Sequence, residues 1–284
     1  MGNLRRFSTH APRVLRIVGP AVWLDAVVMD FVTVPLAPDQ VEYLDAAAAT
    51  AAGRSYKQRL LDLLDVQPGQ VVLDLGCGPG TDLRRMADVV DDRGLVIGID
   101  HDPVMVEQAR RRSADHRNID VRDGDAHALP LDSACIDRAR TDRVLQHVTN
   151  PPRALAELRR VLRPGGMVGM AEPDWDTLAI DDADVETSRA FTRFVTGRFR
   201  NPVIGRQLAR LAVDAGLTVS TVDATAIMFR DFETAEQVLG LQRNTVRAVQ
   251  SGALAQPAAE SWLQRLTNGP FLASLTVYTV VAGV

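Results

Sequence analysis

From residue 71 onward, short apolar runs alternate with longer stretches whose apolar residues recur at helical spacing. That alternation is the pattern of βα units feeding a parallel sheet. Strands are predicted at 71–75, 95–100, 119–122, 135–140 and 167–172, with crossover helices at 81–90, 103–112 and 152–162. Pro103 and Pro152 stand at first-turn positions, where a missing N–H is tolerated. Arg163-Pro164-Gly165-Gly166 stops the third helix and turns the chain into the next strand.

Past Glu172 the spacing changes. A charged and aromatic stretch at 174–200 precedes a helix at 205–215 and a strand-like run at 218–229. Helical patterns at 233–252 and 257–266 then lead to a final strand-like run at 271–281. The prediction is an α/β, Rossmann-like fold: a mostly parallel seven-stranded sheet with helices on both faces. Cap insertions are expected at about 174–204 and 233–268, within a domain spanning 58–284. Residues 1–57 read as a helical N-terminal segment or lid, with a strong helix-former run at 46–52. No internal repeat is found.

Composition narrows the partners. The chain has 284 residues, 46% hydrophobic and 24% charged, enough for a large packed core. Its formal charge of -4 gives no footprint for nucleic acid. The clusters Arg110-Arg111-Arg112 and Arg159-Arg160 sit in helical patterns beside acidic residues and read as solvated faces. Cys77 and Cys135 are far apart and lack metal-ligand spacing, so no metal site is expected. The apolar region 14–36 is interrupted by Arg16, Asp25, Asp30 and Gly19-Pro20, which argues against a membrane span. With no clean cleavage site near Arg5-Arg6, the chain reads as cytoplasmic. The apolar stretch 22–34 either folds over the chain's own pocket or packs on a second subunit, a homodimer being preferred.

The chemistry concentrates after the first predicted strand. Asp74-Leu75-Gly76-Cys77-Gly78-Pro79-Gly80 ends a strand in glycines, so the backbone passes close to a ligand and takes positive φ. Thr81 stands where a dinucleotide fingerprint has its last glycine. Asp74 would repel a pyrophosphate but pairs well with an ammonium group, while Asp100, about twenty residues on, is placed to accept from ribose hydroxyls. An ammonium and a ribose without phosphate describe S-adenosylmethionine.

With these residues the sequence resembles the class I S-adenosylmethionine-dependent methyltransferases of the small-molecule type. Residues 71–80 look like their first motif and Gly98-Ile99-Asp100 like their second. Gly124-Asp125-Ala126-His127-Ala128-Leu129-Pro130 is similar to the adenine-binding stretch, and Val161-Leu162-Arg163-Pro164-Gly165-Gly166 to the turn into the fifth strand. The resemblance covers roughly residues 55 to 175. It implies Asp125 accepting from the adenine amine, the Ala126 amide meeting a ring nitrogen, and a small-molecule substrate above the strand ends.

The candidate cofactor set is therefore Asp74, Gly76, Cys77, Gly78, Asp100, His101, Met105, Asp125, Ala126 and Arg140. His101 and Met105 are placed at the adenine face, although a Met at helical spacing also suits core packing. Cys77 qualifies by small size, with no basic partner to activate its thiol. Arg140, at a strand end, is expected to pair with the cofactor carboxylate. Tyr56 and Lys57 either cover the methionine end of the cofactor or pack with satisfied polar atoms.

His147 is the candidate catalytic residue, a general base for an oxygen or carbon acid or else a residue packed at a helix start. Glu172 and Asp174 either hold a polar group of the substrate or cap the insertion. Trp23, Trp175, Phe191, Phe194, Phe199 and Trp262 offer apolar walls for an acceptor, or form the core of the cap. The activity implied is O- or C-methylation of a small organic metabolite. The alternative is a cyclisation on the same fold.

Overall fold

The computed structural model describes residues 40–284. Trp23, the stretch 22–34 and with it the homodimer expectation lie outside the described residues.

Two helices lead in, α1 (Gln40–Ala49) and α2 (Ala51–Leu64), separated by Thr50, whose hydroxyl accepts from the Gly53 N–H at 2.9 Å as an N-cap. Residue 57, the expected end of the lid, lies inside α2. The core follows as β1 (Val71–Leu75), α3 (Leu83–Val90), β2 (Leu95–Asp100), α4 (Pro103–Arg112), β3 (Ile119–Asp123), β4 (Ile136–Asp142), α5 (Pro151–Val161) and β5 (Leu162–Ile180). Helix α4 starts as expected and α5 one residue earlier, with Asp102 and Asn150 as N-caps and proline in the first turn of each. After them come α6 (Val185–Thr196), α7 (Ile204–Asp214), β6 (Thr218–Phe229), α8 (Phe232–Leu239), α9 (Leu241–Gln250), α10 (Gln256–Asn268) and β7 (Ala273–Gly283).

The seven strands form one sheet in the order β3-β2-β1-β4-β5-β7-β6. The order reverses beside β1, which pairs with both β2 and β4, and in doubly wound sheets ligands bind outside the carboxyl ends at such a switch. The expected mostly parallel sheet is corrected to a mixed one. The four ladders from β3 to β5 are parallel, whereas β7 pairs antiparallel with β5 and with β6. The chain reaches β7 after the α8–α10 excursion and enters the gap between β5 and β6 from the opposite end.

Three expected elements change shape. The helical pattern at 233–252 is two helices, broken at Gly240, whose φ of +58 is left-handed. The strand at 135–140 runs on to Asp142. The strand at 167–172 continues to Ile180, so 174–180 extends the sheet, paired at Ala179 and Ile180 with Ser274 and Ala273. Residues 163–166 bulge out of β5, because pairing with β4 skips from Leu162 to Met167.

Apolar residues fill both faces of the sheet. One cluster joins Leu73, Leu75, Ile99, Leu145, Leu158 and Leu208 under α5 and α7, and another packs α3 and α4 through Leu83, Met86, Val90 and Val106. A third centres on Phe191 and Trp262, which meet at 4.8 Å between ring centroids and join α6 and α10 over the long half of β5 and β7. Among the described residues, no helix is long and apolar enough to cross a membrane.

Candidate functional site

At the carboxyl end of β1 the glycine turn takes the expected backbone. Gly76, Gly78 and Gly80 have φ of +72, +54 and +80. A side chain at Gly76 would collide with Val144 on the loop after β4, and one at Gly80 would lie 3.0 Å from Ala109 of α4. Those two glycines are required by packing. At Gly78 only Leu44 of α1 comes near, at 3.5 Å, which leaves a backbone cradle roofed by that helix.

Asp100 rims this cradle. Its Oδ2 accepts from the Gly78 N–H at 2.8 Å and its Oδ1 from the Asp102 N–H at 3.0 Å, leaving lone pairs on each oxygen for a hydroxyl pair. The Gly124 N–H donates to the Asp100 carbonyl at 3.0 Å, which brings Asp125 and Ala126 alongside. The Asp125 carboxylate is exposed, held at 2.9 Å by the His127 N–H and at 2.6 Å by His127 Nδ1, and those bonds keep its carboxyl below the usual range. Ala126 is buried. The chemistry of this donor and acceptor set fits a nucleoside without phosphates.

The other sequence candidates divide. His101 stands in solvent, its Nδ1 3.4 Å from Asp100 Oδ1, whereas Met105 is buried on the inner side of α4. Cys77 is buried. Loss of solvation, then Asp74 and Asp100, push its thiol far above the usual range, so it is no nucleophile.

Arg140 departs from expectation. The register puts it opposite Asp74, and its guanidinium is enclosed by the protein's own carboxylates: Asp74 at 3.4 Å, Asp82 at 2.7 Å and Asp142 at 2.8 Å. It is 1% exposed and closes an internal ion cluster rather than opening towards a cofactor carboxylate. Lys57 of α2 completes the cluster, pairing with Asp82 and, at 2.7 Å, with Asp142, while the Tyr56 hydroxyl donates to Asp142 at 3.0 Å. Burial raises the Asp74 carboxyl to about 6 against the pull of Arg140, whereas Lys57 and Arg140 outweigh burial at Asp142 and hold its carboxyl far below the ordinary range.

Sequence reasoning passed over Asp82 and Asp142. The signal was present, since Asp142 follows Arg140 by two residues on a strand and shares its face.

The loop after β4 carries the candidate base. Glu172 is fully buried and accepts from the N–H groups of Val144 at 2.8 Å, Leu145 at 2.6 Å and Gln146 at 3.3 Å. It does not cap the insertion after it, as one of its two expected roles had it, but clamps this earlier loop. Burial pushes its carboxyl up to about 8 while the three N–H groups pull the other way. Asn201 holds the loop from below, donating to the Leu145 and Val148 carbonyls at 2.8 Å. Gln146 accepts from Trp175 Nε1 at 2.7 Å, and Trp175 stacks on Phe199 at 4.0 Å.

His147 rides on this clamped turn with its ring 6.0 Å from that of Phe199. Partial desolvation, then the charges of Arg143 and His101, lower its pKa below the ordinary imidazole value. Asp174 is buried and held by Arg206. Phe191 and Trp262 belong to the cap core, with Trp262 Nε1 donating to Ser188 at 2.9 Å. Phe199 borders the site through His147.

Helix α1 is tied to the glycine turn. Asp45 pairs with Arg112 at 2.8 and 2.6 Å and accepts from Thr81 at 3.3 Å, and Leu44 sits over Gly78. No cluster of three metal-ligating side chains occurs among the described residues.

A family described as a methyltransferase domain matches residues 72–166. Over 246 residues the chain is 59% identical to an uncharacterized 37.1 kDa protein in transposon TN4556 of Streptomyces fradiae, covering 86% of this chain and 71% of that protein. It is 32% identical over 125 residues to a demethylmenaquinone methyltransferase of Staphylococcus epidermidis, covering 44% of this chain and 52% of that one. Among solved structures, a SAM dependent methyltransferase from Aquifex aeolicus superposes with a TM-score of 0.51 at 20% identity, over 66% of this chain and 91% of that one. That likeness is one of fold.

Proposed function

The chain belongs to the class I S-adenosylmethionine-dependent methyltransferases, and from that membership we propose that it methylates oxygen or carbon of a small organic acceptor. When bound, S-adenosylmethionine supplies a methyl group already activated on a sulfonium, so the protein's task is alignment and removal of a proton.

In this reading the Gly76 to Gly78 turn presents its backbone to the cofactor, with Cys77 admitted for its size, and Asp100 accepts from the ribose hydroxyls. Asp125 and the Ala126 amide meet the adenine, Met105 packs beneath it and His101 flanks it from solvent. Asp74 faces the ammonium end as part of the ion cluster. Helix α1 acts as a lid, and the segments 181–204 and 233–268 act as caps that shape the acceptor site.

His147 takes the acceptor's proton. The observation that carries this is the fixed turn: Glu172 and Asn201 clamp residues 144–148, while Val144 lies against Gly76, so the base is held at the cofactor turn. Its lowered pKa keeps the imidazole neutral and able to accept a proton at neutral pH. Phe199 beside it gives the acceptor an apolar wall. A relative acting on demethylmenaquinone is consistent with an acceptor of this kind.

Two measurements test the proposal. Calorimetry should show S-adenosylmethionine binding to the full chain, and mass spectrometry of phenol, quinol and organic-acid acceptors should show the mass of a single added methyl. Cofactor binding with rearranged, unmethylated products would replace methyl transfer with cyclisation.

A further inference from the structure

Arg143 directly follows β4 and holds φ +59, a left-handed conformation that costs a residue with a side chain backbone strain. The conformation is fixed from several sides. Its N–H donates to the Ala171 carbonyl at 2.9 Å, its own carbonyl accepts from Gln146 Nε2 at 3.1 Å, and Glu172 grips the next three amides. The backbone is thus forced into a turn that leaves the side chain only 19% exposed.

There its Nε is buried and makes no hydrogen bond. The nearest carboxylate oxygen, Asp142 Oδ1, is 3.7 Å away, and that carboxylate already receives Lys57, Arg140 and Tyr56. A guanidinium cannot relieve desolvation by losing its proton, so an unmatched donor at a largely buried arginine calls for an anion. Arg143 stands four residues before the candidate base His147, on the same loop that Glu172 clamps. Arg140 also has an unpartnered buried Nε, but its two Nη groups already donate to three carboxylates.

We propose that Arg143 receives a carboxylate of the methyl acceptor, so that the acceptor is an organic acid whose apolar body lies along Phe199. The inference rests on the methyl-transfer reading of the site. Held this way, the acid's charge sits on the guanidinium and its reacting atom faces His147. Planar, two-pronged recognition is what a guanidinium offers a carboxylate. The cofactor's own carboxylate has the same chemistry, and the test separates the two sources.

The full chain, Arg143→Gln and Arg143→Lys are saturated with S-adenosylhomocysteine and titrated calorimetrically with 1-naphthoate, 4-hydroxybenzoate and phenylacetate, each against its neutral primary amide. The expected result is that at least one acid binds the unmodified protein tenfold or more tightly than its amide. That preference should fall to within twofold in Arg143→Gln and persist in part in Arg143→Lys, with S-adenosylhomocysteine affinity within twofold throughout. Acids binding no more tightly than amides, or a preference surviving Arg143→Gln, overturns the proposal. So does a variant that loses S-adenosylhomocysteine instead, which would assign Arg143 to the cofactor. Failure of the unmodified protein to bind S-adenosylhomocysteine would sink the methyl-transfer reading itself.

Discussion

Asp100 and His147 act through single side chains, and each makes a separable expectation. Asp100 both accepts from the Gly78 N–H and presents its remaining lone pairs beside the cradle. Asp100→Ala should weaken S-adenosylmethionine binding by about 1–3 kcal/mol, through lost charged hydrogen bonds and a loosened turn. Calorimetry reads this directly, and an unchanged affinity would remove Asp100 from the site. For His147 the sign follows from its environment. Desolvation and the neighbouring cations disfavour the imidazolium, so the neutral, proton-accepting form persists to lower pH than in a free histidine. The acid limb of the methylation rate should therefore lie below pH 6.5, and His147→Gln should lower the rate by roughly 10²–10⁴-fold while removing that limb. A rate profile unchanged by the substitution would return His147 to a packing role.

Elements place these residues, and two contacts govern how firmly. The first is the Asp45–Arg112 pair with the Thr81 hydroxyl, which fastens α1 to the glycine turn. Both partners are partly exposed, so the pair contributes only ~0–1 kcal/mol. Asp45→Ala should leave global stability nearly unchanged yet speed amide exchange across residues 41–49, and slow exchange retained there would show that Leu44 alone secures the helix. The second is Glu172 under the loop after β4. Its folded pKa of about 8 lies above that of an unfolded glutamate, so the folded chain binds this proton more tightly. Its contribution is then fully present below about pH 4.5 and is lost as pH rises towards 8. Glu172→Gln, which cannot ionise, should flatten that part of the stability curve measured by chemical denaturation. A slope preserved in the variant would mean that the three N–H groups keep Glu172 ionised throughout.

At the scale of the molecule, the ion cluster links α2, β1, the start of α3 and β4 beneath the candidate site. Its carboxylates are Asp74, Asp82 and Asp142, and its closely paired cations Lys57 and Arg140, while Arg143 stands 3.7 Å from Asp142 without a hydrogen bond. Removing one cation leaves an uncompensated buried carboxylate. Lys57→Met should therefore cost about 3–5 kcal/mol in unfolding free energy, and the deficit should shrink in acid as a carboxylate takes up a proton. A loss under 1 kcal/mol would show that solvent or Tyr56 compensates in its place.

The parallel half of the sheet, its crossover helices and the cofactor turn are all legible in the sequence, because each is encoded locally. Hydrophobic period sets strand against helix, and Gly76, Gly78 and Gly80 answer to their own φ and to close neighbours. The position of Asp100 was legible for the same reason, at a strand end beside that turn. The features that emerge only on folding involve partners distant in the chain. Arg140 reads on sequence as a ligand for a cofactor, and only the β1–β4 register shows its charge facing Asp74, Asp82 and Asp142. Glu172 reads as a cap for the insertion after it, yet it clamps a loop 26–28 residues earlier. The antiparallel place of β7 depends on where the chain re-enters the sheet after α10, and a period of two carries no strand direction. Local geometry can be written in adjacent residues, while electrostatic balance and strand order exist only once the chain has closed on itself.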